Sequence, residues 1–252
     1  MNFKEKLSKK VKENNSLLCV GLDIDEDKIS NNTLFEFNKK IVDETKDLVC
    51  SYKINMAFYE VFGIEGYELL EKTIDYIPKD IAIILDGKRN DIGNTAEKYA
   101  KSIFGTLNAD ATTVNPYLGS DGIKPFLKYK DKCSFILCRT SNPSAKDLQD
   151  IKSNNKPLYE NVAEKIKEWD KTGSCGAVVG ATYPEELKKI RKILGDDIPI
   201  LLPGIGKQGG DLERSVKYGG ENIIIVSARS IIYAENPREE AIKLRDEINK
   251  YR

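Results

Sequence analysis

The chain has 252 residues, a length suited to one large α/β domain. Its 40 Lys+Arg are matched by 40 Asp+Glu, which argues against a general nucleic-acid binder, since that needs a basic excess or a basic face. No histidine occurs anywhere, so Ser-His-Asp and Cys-His nucleophiles and His-ligated metal sites are excluded, and acid–base chemistry must fall to Asp, Glu, Lys, Tyr or Cys.

The first residues, Met1 to Lys6, carry charge with no apolar segment behind them, so a signal peptide is not expected. Lys4 to Lys12 reads as the solvated surface of a helix. No apolar run approaches the roughly 18 residues that span a bilayer. Eight short apolar runs then follow: Leu17–Gly21, Cys50–Ile54, Ile81–Leu85, Ala111–Val114, Ser134–Cys138, Gly176–Val179, Ile198–Leu202 and Asn222–Val226. They are continuous and rich in Ile, Val and Leu, as strands buried on both faces are. Helical patterns lie between them, over Asn32–Val49, Gly66–Ile77, Thr95–Thr106, Leu158–Lys171, Pro184–Leu194, Asp211–Tyr218 and Arg238–Lys250. The spacing of roughly 31 residues is that of a βα repeat. Residues 1–252 therefore read as a single (β/α)8 TIM-barrel domain of the α/β class, with an open doubly wound sheet as the alternative. The five cysteines are odd in number and form no Cys-x-x-Cys pair, which suits buried reduced thiols in a cytoplasmic protein.

In such a barrel the chemistry collects where strands end. Strand one delivers Asp23, and strand two ends on Lys53. After strand three comes Asp86-Gly87-Lys88, with Asp91 three residues further on. Residues two apart on a strand share a face, so Asp86 and Lys88 are expected to enter one space while Gly87 and Arg89 point away. A lysine ending an apolar strand is costly to bury unless paired. Asn115 follows strand four, and Thr140-Ser141-Asn142-Pro143 follows strand five. Strand seven delivers Pro203-Gly204-Ile205-Gly206-Lys207-Gln208-Gly209-Gly210, and strand eight Ser227-Ala228-Arg229-Ser230. Glycines let backbone N–H groups approach an anion, and Arg229 adds a charge-assisted donor, so these two loops read as a phosphate site. The same glycines would also serve a tight turn, and Asp23 would also serve as a turn or capping residue. Asp86, Lys88 and Asp91 are open to two further readings: a structural ion cluster, and Mg²⁺ ligands that the lysines in the same space oppose. The helix-to-strand connections show turn chemistry without a comparable set.

Taken together, Asp86-x-Lys88-x-x-Asp91-Ile92-Gly93-Asn94-Thr95, Lys53, Asp23, the glycine-rich loop and Ser227-Ala228-Arg229-Ser230-Ile231 resemble the orotidine 5′-phosphate decarboxylase family. Asn115-Pro116-Tyr117-Leu118-Gly119 and the Thr140–Pro143 loop look like its longer-chain branch. The resemblance implies a barrel homodimer that converts orotidine 5′-monophosphate to UMP, the last step of pyrimidine synthesis, with no cofactor and no metal. It implies a catalytic network of Lys53, Asp86, Lys88 and Asp91, with Lys88 the proton donor to C6. It further implies that Asp91 and Thr95 enter the partner's site, that Asp23 with Lys53 holds the ribose hydroxyls, and that Asn55 lines the ribose side. Ser141 would contact the pyrimidine, and Gln208 and Arg229 the phosphate, with Pro203 and Gly209 in the same binding loop. Neither nucleic acid nor membrane is an implied partner. Relatives resembling 3-keto-gulonate 6-phosphate decarboxylase or hexulose phosphate synthase share Asp-x-Lys-x-x-Asp but use Mg²⁺ and carry an acid where Lys53 stands.

Overall fold

The computed structural model describes residues 1–29, 33–205 and 211–252. Eight parallel strands close into a barrel: β1 (Leu18–Gly21), β2 (Ser51–Asn55), β3 (Ala82–Arg89), β4 (Ala111–Val114), β5 (Cys133–Arg139), β6 (Cys175–Val179), β7 (Ile200–Pro203) and β8 (Ile223–Ser227). Each pairs with its neighbours in sequence, and β8 returns to β1 through Leu18↔Ile225 and Cys19↔Val226. The eight expected runs thus all form strands, Ala111–Val114 with the same bounds and the others shifted at one or both ends. The largest shift is in β3, which continues through Asp86 to Arg89 instead of stopping at Leu85. Buried Ile and Leu from these strands fill the barrel and the layer beneath its helices.

The helix α1 (Phe3–Glu13) is more than the solvated surface expected of Lys4 to Lys12. It starts with a capping box, in which Asn2 accepts from the Glu5 N–H and Glu5 accepts from the Asn2 N–H. Its other face closes the N-terminal end of the barrel. Phe3 and Leu7 are buried against Cys19, Ala82, Ala111 and Phe135, with the Phe3 ring edge-on to Phe135 at 5.6 Å. Burying two such side chains contributes about 1.5–3 kcal/mol each. Lys6 pairs with Asp110 at 2.7 Å, so this end holds ion pairs as well as turn residues.

Between the strands run α2 (Leu34–Thr45), α3 (Gly63–Tyr76), α4 (Gly93–Ala100), α5 (Ser120–Leu127), α6 (Leu158–Trp169), α7 (Pro184–Leu194), α8 (Leu212–Gly219) and α9 (Pro237–Asn249). The helix α5 was not expected, because its eight residues include Gly122 and Pro125. The stretch expected as one helix to Thr106 changes at Lys101 from α to π geometry. All five cysteines are buried and reduced, and burial pushes the Cys19 and Cys175 thiols up to about 12. Among the described residues no helix is long and apolar enough to cross a membrane.

At the floor of the barrel Arg191 of α7 is buried, and among the described residues no carboxylate forms a salt bridge with it. It donates instead to the carbonyls of Gly195, Ile198, Gly219 and Asn222, at 2.7 to 2.9 Å. Burial lowers its pKa to about 10. One guanidinium therefore ties the turns that enter β7 and β8.

Candidate active site

The C-terminal mouth of the barrel holds a cavity of about 540 Å³, within the range that small-molecule sites occupy. Its floor is a row of alternating charge. Lys53 Nζ lies 3.2 Å from Asp23 Oδ1 and 3.4 Å from Asp86 Oδ2, and Lys88 Nζ lies 2.8 Å from Asp86 Oδ1. The barrel ladder produces this order, since Gly21 is in register with Lys53, and Asn55 with Asp86. Asp23 is placed by the exit of β1, where Tyr233 donates to the Asp23 carbonyl and Tyr59 to the Leu22 carbonyl.

Burial grades along the row. The Lys53 side chain is 6% exposed, Asp86 11%, Asp23 17% and Lys88 50%. Both lysines border the cavity, with Lys53 held deep between two carboxylates and the Lys88 ammonium the more open of the pair. Burial opposes charge on Lys53, yet Asp23 and Asp86 outweigh it and push its pKa up. Burial would likewise raise the Asp86 carboxyl, but Lys53 and Lys88 and the hydrogen bonds from Lys88 and Thr113 hold it down at about 2.

Lys88 reaches this position through an irregular backbone. The ladder between β3 and β4 pairs Leu85 with Thr112 and then Arg89 with Val114, so β3 bulges over the intervening residues. Within the bulge Lys88 has φ +45°, a left-handed conformation rare for a long side chain. Arg89 points away from the cavity, as expected; it pairs with Glu60 and lies 5.2 Å over the Tyr99 ring.

Asn55, Ser141, Pro203 and Arg229 also border the cavity. Ser141 is reached closely by Gly180, where any Cβ would lie 2.8 Å from Ser141 Cβ, so the two loops fit only around glycine. Gly204 takes φ +104° as the chain leaves β7, a turn that suits glycine. Gln208 and Gly209 lie outside the described residues. Asp91 and Thr95 do not join their own chain's cavity: Asp91 is partly exposed, Thr95 is exposed, and the Asp91 carboxylate accepts its neighbour Ile92's N–H at 2.8 Å. Two polar lining residues escaped the sequence reading. Gln149 accepts the Thr140 N–H at 2.9 Å and donates to Thr140 Oγ1 at 2.7 Å, fixing the β5 exit beside Ser141. Thr113 bonds within the β3 bulge; its only sequence signal is a hydroxyl in an apolar strand. No group of three or more Cys, Asp or Glu among the described residues is arranged to hold a metal ion.

The profile of the orotidine 5′-phosphate decarboxylase / HUMPS family matches residues 16–244. The chain belongs to that family. Curated family members include the orotidine 5′-phosphate decarboxylase of Dehalococcoides mccartyi, 45% identical over 100% of this chain and 99% of that protein. The Cupriavidus necator enzyme of the same name is 44% identical with the same coverage. Solved family structures agree. Leishmania donovani OMP decarboxylase superposes with a TM-score of 0.91 at 39% identity, covering 100% of this chain and 98% of that one. Orotidine 5′-monophosphate decarboxylase from Methanocaldococcus jannaschii, complexed with the inhibitor BMP, gives 0.72 at 29% identity, with 92% and 98% covered.

Proposed function

We propose that this chain decarboxylates orotidine 5′-monophosphate to UMP in pyrimidine synthesis, with Lys88 as the proton donor to C6 and without cofactor or metal. It is a carboxy-lyase of its family, and full-length relatives at 44–45% identity carry the decarboxylase name. The observation that carries the reading is the row Asp23–Lys53–Asp86–Lys88 on the cavity floor. Loss of CO2 leaves a carbanion at C6 with no ready electron sink, so the site must stabilise that charge directly. An ammonium at Lys88, fixed against Asp86, supplies such a field and then the proton. Asp86, held ionised, faces the departing carboxylate, and the repulsion is relieved as CO2 leaves. Lys53 argues against the Mg²⁺-dependent side of the family, because a cation already occupies the space between the carboxylates.

Asp23 and Asn55 serve the ribose in this reading, Ser141 the pyrimidine, and Gln208 and Arg229 the phosphate, with Pro203 and Gly209 as further substrate-binding residues. Binding energy from the remote phosphate can drive closure over the base. Residues 1–252 act as one barrel domain in the cytoplasm. The decisive measurement is a UV assay of substrate loss with and without a strong chelator. Equal turnover in both supports the reading; no turnover removes the activity, and loss only with chelator removes the metal-free chemistry.

The active form is a homodimer with shared sites. Val61, Ile64, Ile92 and Tyr117 are 55–80% exposed on the adjacent exits of β2, β3 and β4, an apolar face that suits a second copy. Asp91 and Thr95 lie on the same side and turn away from their own cavity. Mixing inactive Asp91→Ala with inactive Lys88→Ala subunits restores activity, because one hybrid site regains both residues. Confirmed heterodimers without recovery overturn the sharing.

A further inference from the structure

We propose that the Thr113 hydroxyl is the positioning group for the catalytic pair, pinning the β3 bulge so that Lys88 and Asp86 meet in one geometry. The inference rests on the decarboxylase reading above and adds a residue outside its charged network. Thr113 stands on β4 opposite the bulge, is 1% exposed, and borders the cavity. Its oxygen is used twice. It accepts the Lys88 N–H at 2.9 Å and donates to Asp86 Oδ1 at 2.7 Å. The same Asp86 oxygen receives the Lys88 ammonium at 2.8 Å. Backbone of Lys88, hydroxyl of Thr113, carboxylate of Asp86 and ammonium of Lys88 thus form a closed ring.

Each bond of that ring corrects a specific weakness. A left-handed lysine is unfavourable on its own, and its N–H has left the regular ladder. Thr113 gives that N–H a partner where Val114 and Thr112 serve only the residues on either side of the bulge. Without Thr113 the Asp86 carboxylate would be held at Oδ1 only by the half-exposed Lys88, since Lys53 holds Oδ2. Thr113 fixes Oδ1, and therefore where the half-exposed Lys88 ammonium comes to rest. Being β-branched, threonine has few rotamers of its own and holds this aim stiffly.

The neighbouring Thr112 supplies the control. It is fully buried on the same strand, and its hydroxyl donates to the Leu85 carbonyl at 2.8 Å, away from Asp86 and Lys88. Both threonines therefore make buried hydrogen bonds, but only Thr113 bonds to the reacting pair.

The experiment compares Thr113→Val, Thr113→Ala, Thr113→Ser and Thr112→Val with the wild-type chain, reading kcat, KM, UMP affinity and melting temperature. Losing a hydrogen bond to a charged group predicts a kcat lower by about 10- to 100-fold in Thr113→Val and Thr113→Ala. KM and UMP affinity stay within about 3-fold of wild type, because the base, ribose and phosphate contacts are elsewhere. Thr113→Ser keeps the hydroxyl and returns kcat to within about 3-fold of wild type. Thr112→Val lowers the melting temperature with kcat retained. Should valine prevent folding, the Ser/Ala pair carries the test, since both lack the methyl and only one keeps the hydroxyl. Equal kcat in Ser and Ala variants, or a kcat loss in Thr112→Val matching that in Thr113→Val, overturns the positioning role. A wild-type chain that does not consume orotidine 5′-monophosphate overturns the parent reading instead.

Discussion

Two buried cations mark the two ends of the barrel, and they are solvated by opposite means. Lys53 at the mouth is held by two carboxylates, one of which also carries Lys88. Arg191 at the floor is held by four backbone carbonyls and, among the described residues, by no salt bridge. Carbonyl dipoles cannot lose a proton or move independently of the fold, so the Arg191 arrangement is purely architectural. Carboxylates bring net charge that a ligand can feel. The mouth therefore keeps a concentrated, opposed set of charges lining the cavity, while the floor spreads one charge over fixed dipoles and seals it. Chemistry and stability are divided between the two ends of the same strands.

That division is tested most sharply by Lys88→Ala, which is expected to lower kcat by at least about 10³-fold while nucleotide binding and melting temperature are largely kept. Near-normal kcat in this variant removes the proton-donor role. Arg191→Met should do the reverse. It strips donors from four carbonyls, costing about 3 kcal/mol or more and lowering the melting temperature by about 6–12 °C, with kcat of the folded enzyme retained. A kcat loss larger than the stability loss would couple the two ends and break the comparison. Arg229→Ala sits at the rim of the mouth and should raise KM by about 10-fold or more with a smaller effect on kcat. An unchanged KM discredits the assigned phosphate side.

The smallest effect is acidic. The Asp86 carboxyl is depressed from an ordinary value of 3.8 to about 2. Its contribution is thus complete above pH 4 and lost as pH falls through 2. Urea midpoints of the wild type and of Asp86→Asn should converge over that window. Parallel curves would show that Asp86 titrates alike in folded and unfolded chains.

The barrel itself was plain in the sequence because its strands are short, apolar and spaced at one βα unit, a pattern that local residues carry unaided. The placing of Asp23, Lys53, Asp86 and Lys88 at one mouth followed from strand ends alone. What stayed hidden depends on contacts distant in the chain or on backbone. The eight-residue α5 violates helix propensity with Gly122 and Pro125 and is stabilised by packing, including contacts with α4. Gln149 reaches back nine residues to Thr140 across a loop. Thr113 matters only because β3 bulges opposite it, and no residue type announces a bulge. Arg191 binds carbonyls, which leave no trace in a one-letter string.

The buried thiols offer a clock for this molecule. Cys19, Cys133, Cys138 and Cys175 belong to three different strands and Cys50 abuts a fourth; none is accessible in the folded chain. A thiol reagent in solution therefore modifies the protein only as fast as the barrel opens. Mapping which cysteine reacts first would report where the ring of strands parts. If the floor sealed by α1 opens late, Cys138, near the mouth end of β5, reacts before Cys19, which packs beneath α1.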